Sequence, residues 1–293
     1  MTLRWGVLGA ADIADRALLP ALRASRNGEV LALASRDPRR ADAMAARHGV
    51  PRVHRTYEDL LGDADVDAVY VPLPNSLHRD WTRRALAAGK HVLCEKPLAM
   101  NGFEATDMAA AAHGAGRLLM EAAMYRFHPR MIELAEALRG RVRYVHASFA
   151  FAIDAPDNYR MRPEMGGGSL LDIGFYVADV ARWLLGEPDR VAAVWHQDRV
   201  DMSWSVALGF PAGGQASLFA SFETPEYQEL VAVTDDRVVQ VERPFFGRPG
   251  DPDPYQLMAE AFAEAALRGA PAPLPLENSI ATARLLDRIR EAA

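Results

Sequence analysis

The first half of the chain alternates short apolar runs with longer stretches whose apolar residues recur at helical spacing. Leu3 to Leu8 is an apolar run, and the segment behind it carries Ile13, Leu18, Leu19 and Leu22 along one helix face. Glu29 to Ala34 predicts a second strand, and Pro38 to His48 a helix that ends at Gly49, a suitable residue just past a helix end. Val53 to Leu61 reads as a short strand and a turn of helix. Val66 to Val71 and His91 to Cys94 predict two more strands, joined by a polar-faced helix over Arg79 to Ala88 that Gly89 closes. Asn101 to His113 is a helix with Asn101 and Glu104 in capping-box spacing, and Leu118 to Glu121 is one more strand. Strands and helices alternating in this order predict a doubly wound, mostly parallel sheet up to about Ala122.

Beyond Ala122 the pattern changes. Pro129 to Leu138 predicts a helix and Val142 to Ile153 a long alternating strand, while Gly166-Gly167-Gly168 precedes a helix over Ser169 to Leu185. Strands follow at Arg190 to His196, Met202 to Gly209, Gln215 to Phe222, Glu229 to Val233 and Val238 to Val241. Few helices join them, which predicts an α+β domain with a large, mostly antiparallel sheet, one face backed by helices. Arg243 to Pro254, rich in proline and glycine, is expected to be a surface loop, and Tyr255 to Arg268 and Glu277 to Ala292 to be helices. Two domains are expected, residues 1–122 and 123–293.

Composition narrows the function classes. Half of the 293 residues are apolar and 25% are charged, an ordinary globular balance. A formal charge of −6 argues against a nucleic-acid partner or an anionic membrane surface. Cys94 is the single cysteine, so no internal disulfide can form and a reducing compartment is expected. The N-terminus runs straight into a strand pattern, without the apolar core of a secretory signal, and no stretch is apolar enough to span a bilayer. The expectation is a soluble cytoplasmic protein. Histidine and carboxylate positions lack metal-ligand spacing, so no metal is expected.

The candidate chemistry sits at predicted strand ends. Gly9-Ala10-Ala11-Asp12-Ile13-Ala14 is a degenerate dinucleotide fingerprint. Gly9 takes the tight turn, Ala11 stands where a second glycine admits a pyrophosphate, and Ala14 permits close helix–sheet packing. Asp12 and Ile13, at the start of the helix, offer its N–H groups to phosphate. A strand–helix turn without a ligand is the plain alternative. The second strand ends in Ser35-Arg36-Asp37, with Arg39 and Arg40 in the next helical turn. An NAD site would place an acid at this strand end, whereas guanidinium groups suit a 2′-phosphate, so NADP(H) is favoured over NAD(H). A solvated basic helix start is the alternative, and Asp37 could reach a 2′-hydroxyl if the loop bends.

Pro72-Leu73-Pro74-Asn75-Ser76 and Glu95-Lys96-Pro97 follow two strands at their carboxyl ends, where ligands of open parallel sheets sit. Pro72, Leu73, Pro74, Asn75, Glu95 and Lys96 are therefore expected cofactor contacts, with loop anchoring as the alternative for Glu95. His78 begins a helix at the same rim and either touches cofactor or does nothing. Asn158, Arg160 and Arg162 precede the glycine run and could hold substrate hydroxyls or a carboxylate, or simply form a surface loop. Arg126 is a further substrate candidate, with helix capping as the alternative. The glycine run itself is expected to bring backbone close to another surface, the nicotinamide end of the cleft. Asp172 and Tyr176 are four apart and share a helix face. On spacing alone they read more readily as a first-turn carboxylate and a core aromatic than as a catalytic pair.

Gly9 to Ala14, Ala34 to Asp37, Pro72 to His78 and Glu95 to Pro97 resemble the motifs of the Gfo/Idh/MocA oxidoreductases. The resemblance continues through Glu121 to Pro129, Gly166 to Tyr176 and Glu277 to Ser279, in the family's order and over nearly the whole chain. It implies a Rossmann domain followed by a domain whose open sheet face forms homodimers or homotetramers. It also implies hydride transfer between a nicotinamide cofactor and a small sugar, sugar-derived or diol alcohol/carbonyl. The family's acid/base motif has aspartate and, four residues later, histidine or tyrosine. This chain is similar to the tyrosine branch of glucose–fructose oxidoreductase, dihydrodiol dehydrogenase and xylose dehydrogenase. Lys96, Asp172 and Tyr176 are thereby implied as catalytic, with the Lys96 ammonium favouring the phenolate. The family often has a cis peptide between this lysine and proline. Alternatives are an NAD-dependent polyol or inositol dehydrogenase, and a non-catalytic NADP(H)-sensing protein. Ala11 and the turn Thr234-Asp235-Asp236-Arg237 depart from the family's glycines.

Overall fold

The computed structural model describes residues 1–155, 157–248 and 250–292. They form two compact units, the first comprising Met1–Ala99, Phe103–Phe127 and Asp253–Ser279, the second Met100–Gly102, His128–Pro252 and Ile280–Ala293.

In the first unit, β1 (Leu3–Leu8), β2 (Gly28–Ala34), β3 (Arg52–His54), β4 (Ala68–Val71), β5 (His91–Cys94) and β6 (Leu119–Glu121) form one sheet. Its six strands are all parallel and lie in the order β3-β2-β1-β4-β5-β6. Helices α1 (Leu19–Ala24), α2 (Pro38–His48), α3 (Tyr57–Gly62), α4 (His78–Ala87) and α5 (Gly102–Ala115) provide the crossovers. This is the doubly wound Rossmann arrangement. The strands carry no alternation because both sheet faces are covered, and all four residues of β4 are buried. The strand order reverses direction between β1 and β4, the point where such sheets leave a crevice beyond their carboxyl ends.

The helix Pro254–Arg268 belongs to this same unit. Phe262 packs on Trp5 with ring centroids 5.1 Å apart, and neither residue has exposed surface. Glu260 accepts from Nε of Arg26 at 2.8 Å and from its backbone N–H at 3.1 Å. A division into 1–122 and 123–293 thus differs from the compact units, because this helix buries its apolar face against the N-terminal segment. The turn Met124–Phe127 likewise lies in the first unit.

The second unit holds α6 (Pro129–Leu138), β7 (Val142–Ala150), α7 (Phe175–Leu185), β8 (Arg190–Gln197), β9 (Asp201–Gly209), β10 (Gln215–Ser221), β11 (Tyr227–Thr234) and β12 (Val238–Glu242). The sheet order is β12-β11-β7-β10-β9-β8, antiparallel except for the parallel pair β7–β10. Alternation along β10 and β11 is regular: Leu218, Leu230 and Ala232 are buried, while Phe219, Val231 and Val233 are less so. On the less covered face Val194, Tyr227 and Val238 are exposed.

Two features of this unit depart from the sequence reading. The predicted helix over Ser169 to Leu185 opens with a π-helical turn, Leu170–Gly174, before α7. Trp204 presses on that turn, since a Cβ on Gly174 would stand 2.4 Å from its ring. The expected surface loop after β12 is not all surface. Phe245 in it is fully buried and stacks on Phe149 with centroids 5.5 Å apart. Among the described residues, no helix is long and apolar enough to cross a membrane.

Candidate functional site

Gly9 gathers three strand ends of the first unit. Its N–H donates to Ala34 O at 2.7 Å, and its φ of +116° is one that an L side chain rarely adopts. A Cβ there would stand 3.0 Å from Leu73 and 3.6 Å from the Tyr57 hydroxyl. The exit of β1, the end of β2 and the segment after β4 thus meet at a residue without a side chain. Helical winding begins at Ala11, whose carbonyl accepts the Asp15 N–H at 3.1 Å. Ala11 and Ile13 are half-buried and Asp12 is exposed.

At the end of β2, Ser35 is buried and Arg36 exposed. Asp37 is occupied as the cap of α2: its Oδ1 accepts the N–H of Arg39 at 2.9 Å and of Arg40 at 3.3 Å. Arg40 Nη2 donates to Ala10 O at 2.7 Å and lies 3.8 Å from Asp12, which ties α2 to the turn after Gly9. Burial pushes the Tyr57 hydroxyl pKa up, and the adjacent Arg36 partly offsets it. An exposed guanidinium beside a carboxylate committed to capping suits a 2′-phosphate better than a 2′-hydroxyl.

The loop after β5 is held by buried polar groups. Tyr70 donates to Glu95 Oε1 at 2.5 Å, and Glu95 Oε2 accepts the Lys96 N–H at 3.2 Å. Leu98 N–H donates to Glu121 Oε1 at 2.5 Å. The Lys96–Pro97 peptide is cis. Glu95, expected among the cofactor contacts, anchors the loop through both carboxylate oxygens. Lys96 itself is half-buried. Pro72, Leu73 and Asn75 are buried and Pro74 half-buried, ahead of the short turn Asn75–Leu77.

His78 is a correction. Its ring has no exposed surface, and its two nitrogens lie 2.8 Å from Pro97 O and 2.7 Å from Leu73 O. With both ring nitrogens against backbone carbonyls, it fastens the segment after β4 to the segment after β5 and has no edge left for a cofactor. Burial lowers its pKa, against the pull of those two carbonyls. Cys94 is buried, and burial pushes its thiol pKa up, so it is an inert core residue.

In the second unit Arg160, Asp172 and Tyr176 come together. Arg160 Nε lies 2.5 Å from Asp172 Oδ2. Asp172 is 5% exposed and Tyr176 4%, and the Tyr176 ring packs on Phe149 and Phe245 with centroids 5.5 and 5.2 Å away. Burial alone would lower the Arg160 pKa, but Asp172, Tyr159 and Tyr176 outweigh it and hold the guanidinium charged. Asn158 caps the turn Tyr159–Met161, its Oδ1 accepting the Arg160 N–H at 3.1 Å. Arg162 has Asp157 as its ionic neighbour, at 3.9 Å. Arg126 lies in the first unit, half-buried in the turn Met124–Phe127.

The surface that the glycine run approaches is the chain's own. Gly167 N–H donates to Arg162 O at 3.0 Å and Gly168 N–H to Arg160 O at 2.9 Å. A Cβ on Gly167 would stand 2.4 Å from Arg160 O, and one on Gly168 would stand 2.0 Å from Asp201 Oδ1. Asp201 caps the following turn, accepting the Leu170 N–H at 2.6 Å and the Ser169 hydroxyl at 3.0 Å. Sequence reasoning missed Tyr70, Glu121 and Asp201. For the first two a signal was present, a hydroxyl and a carboxylate inside short apolar strands, which must find partners when buried. Asp201 had none. Among the described residues, no group of His, Cys, Asp and Glu could hold a metal ion.

Residues 3–123 match a family model described as the oxidoreductase family with an NAD-binding Rossmann fold, and residues 133–239 match the GFO/IDH/MocA C-terminal domain. The chain is 39% identical over 324 aligned positions to D-xylose 1-dehydrogenase (NADP(+)) 2 of Haloferax volcanii, with 99% of this chain and 97% of that protein covered. It is 37% identical over 319 positions to dTDP-3,4-didehydro-2,6-dideoxy-alpha-D-glucose 3-reductase of Actinomadura kijaniata, covering 99% and 96%. Among solved structures it is similar to KijD10, a 3-ketoreductase from Actinomadura kijaniata in complex with NADP and TDP-benzene. The TM-score is 0.90 at 34% identity, with 100% of this chain and 98% of that chain covered. With both units matched by family models and relatives alike from end to end, this chain belongs to the Gfo/Idh/MocA family of oxidoreductases.

Proposed function

We propose that the chain is an NADP(H)-dependent oxidoreductase that interconverts an alcohol and a carbonyl on a sugar, a sugar derivative or a diol. The observation that carries this reading is that Asp172 and Tyr176, a carboxylate and a phenol four residues apart, are both nearly excluded from solvent and that Arg160 interacts with both. The exposed Arg36 and the capped Asp37 support NADP(H) over NAD(H). The xylose dehydrogenase and 3-ketoreductase relatives support a sugar-like substrate.

The cofactor, when bound, supplies or accepts the hydride. Gly9, Ala11, Asp12, Ile13, Ser35, Arg36, Arg40 and the segment Pro72 to Asn75 hold it in this reading. In reduction, the Tyr176 hydroxyl gives its proton to the substrate carbonyl oxygen as that oxygen becomes an alcohol, and solvent returns a proton to the phenolate. In oxidation, the phenolate takes the proton from the alcohol. A free phenol has a pKa of about 10, too high for an efficient base near neutrality. Lys96 supplies the positive charge that favours phenolate and the anionic substrate oxygen. Asp172 accepts from a substrate hydroxyl or orients Tyr176, and Arg126, Asn158 and Arg162 contact further substrate hydroxyls.

We also assign the open face of the second sheet to a homodimer or homotetramer contact, supported by exposed Val194, Tyr227 and Val238. A cytoplasmic location fits the buried reduced Cys94. The deciding experiment screens aldoses, osones, inositols and dihydrodiols with NADP+ or NADPH, then repeats the active pair with Tyr176→Phe. Loss of turnover with NADPH binding retained is expected; unchanged turnover removes Tyr176 from the mechanism.

A further inference from the structure

Arg160 is held in place by three independent means, one of which reaches Asp172. Its Nε lies 2.5 Å from Asp172 Oδ2, with the arginine side chain 30% exposed and the aspartate 7%. Its guanidinium lies over the Tyr159 ring, 4.8 Å from the centroid, with the Phe151 ring at 6.0 Å. Its backbone is clamped on both sides: the N–H donates to Asn158 Oδ1, and the carbonyl accepts the Gly168 N–H at 2.9 Å. The bare Gly167 makes that clamp possible, since a Cβ would lie 2.4 Å from the Arg160 carbonyl oxygen. A side chain held this way is not a free cation awaiting a substrate carboxylate.

The electrostatics give the pair a task. A carboxylate one turn from a phenol disfavours the phenolate, because two like charges would share a poorly solvated place. A guanidinium bonded to that carboxylate cancels the effect while keeping the carboxylate ionised as an acceptor. Asp172 precedes Tyr176 by four residues on the same helical segment, and Arg160, paired with Asp172 from the preceding loop, also interacts electrostatically with Tyr176. From β7 and the loop after β12 Tyr176 meets the rings of Phe149 and Phe245. Lys96 is the other charge that the proposed function assigns to this proton.

We propose that Arg160 is a positioning residue, whose ion pair with Asp172 keeps that carboxylate from suppressing ionisation of Tyr176. The proposal rests on the reading of Tyr176 as the acid/base, and it adds a residue that acts chiefly through Asp172, beside its own direct charge interaction with Tyr176.

Tyrosinate absorbance measures it without any substrate. Subtracting the titration of a Tyr176→Phe protein isolates the Tyr176 phenol, in the otherwise unchanged chain and in Arg160→Ala. The Tyr176 titration should move to higher pH in Arg160→Ala, by on the order of one pH unit. Arg160→Lys should move it less, and it serves if Arg160→Ala does not fold by circular dichroism. In Arg160→Ala/Asp172→Asn the titration should return most of the way, since no unpaired carboxylate remains and only the direct charge of Arg160 is missing. An unmoved titration in Arg160→Ala and Arg160→Lys overturns the proposal, and so does a double variant as displaced as Arg160→Ala. Failure of the underlying reading looks different: Tyr176→Phe would retain turnover, whatever the titration does.

Discussion

The Tyr70 hydroxyl donates to Oε1 of Glu95 at 2.5 Å inside the first unit, where Tyr70 has no exposed surface. Burial and the Glu95 charge hold the phenol pKa well above its ordinary range, so the proton stays on Tyr70. Glu95 in turn accepts the Lys96 N–H, which couples a buried strand residue to the loop that carries the lysine. Tyr70→Phe keeps the ring and removes the donor from a buried carboxylate. The expected cost is on the order of 2–3 kcal/mol, the range for a buried charged acceptor losing a partner. Urea unfolding checks it, and a loss below about 0.5 kcal/mol, the scatter of neutral surface changes, would show that the contact is idle.

Cofactor choice turns on the division of labour between Arg36 and Asp37. Arg36→Ala should weaken NADP+ by about tenfold or more, the value of one charge-assisted phosphate contact, and leave NAD+ nearly unchanged. Asp37→Ala should cost about 1 kcal/mol of stability through the lost helix cap and leave NAD+ affinity where it was. Fluorescence titration of both cofactors against both variants separates the two roles. A large loss of NAD+ binding in Asp37→Ala would mean that the carboxylate reads the ribose after all.

Gly168 has a φ of +106°, and a Cβ on it would stand 2.0 Å from the Asp201 carboxylate. Gly168→Ala must therefore displace the cap of the turn that carries Asp172, in addition to straining its own backbone. A destabilisation of about 2–4 kcal/mol is expected, the sum of a strained left-handed residue and a lost cap. Asp201→Ala should lose only the cap component. Equal losses from the two substitutions would mean that backbone strain contributes nothing there. Thermal unfolding of the two variants makes the comparison.

The parallel sheet was legible in sequence because its short strands are buried on both faces, so they read as unbroken apolar runs such as Ala68–Val71. The cofactor end was legible because Gly9 and Arg36 stand at strand ends, where local order fixes position. Contacts made across long separations were not. Phe262 reaches Trp5 from the far end of the chain, and no local pattern announces that the helix bearing it joins the first unit. Phe245 sits among prolines, glycines and charges, a composition that reads as surface, and yet it is the ring stacked on Phe149. Arg160 had the right chemistry for the site but no visible partner, because its pairing with Asp172 depends on the folding back of the glycine run. The sequence leaves His78 open between two readings for a related reason: its position at a helix start says nothing of the two carbonyls that enclose it.

Acid sensitivity of the first unit should centre on Asp63. Its oxygens accept from Arg52 Nη1 at 3.0 Å and from the Asp65 N–H at 3.0 Å, and His54 Nε2 lies 3.0 Å away. Burial alone would raise the carboxyl pKa, but these three partners together hold it down at about 2. A carboxylate whose folded pKa lies below its unfolded value of about 3.9 binds fewer protons in the native state. Its contribution to stability is complete above the unfolded pKa and is lost as pH falls through the folded one. Stability should therefore decline between about pH 4 and pH 2 with a component that belongs to Asp63. Asp63→Asn keeps the shape, cannot ionise and cannot be protonated in that window. It should lower stability at neutral pH and flatten the acid limb of a stability-against-pH curve measured by urea unfolding. An acid limb as steep as in the unaltered chain would assign the proton uptake to other carboxylates.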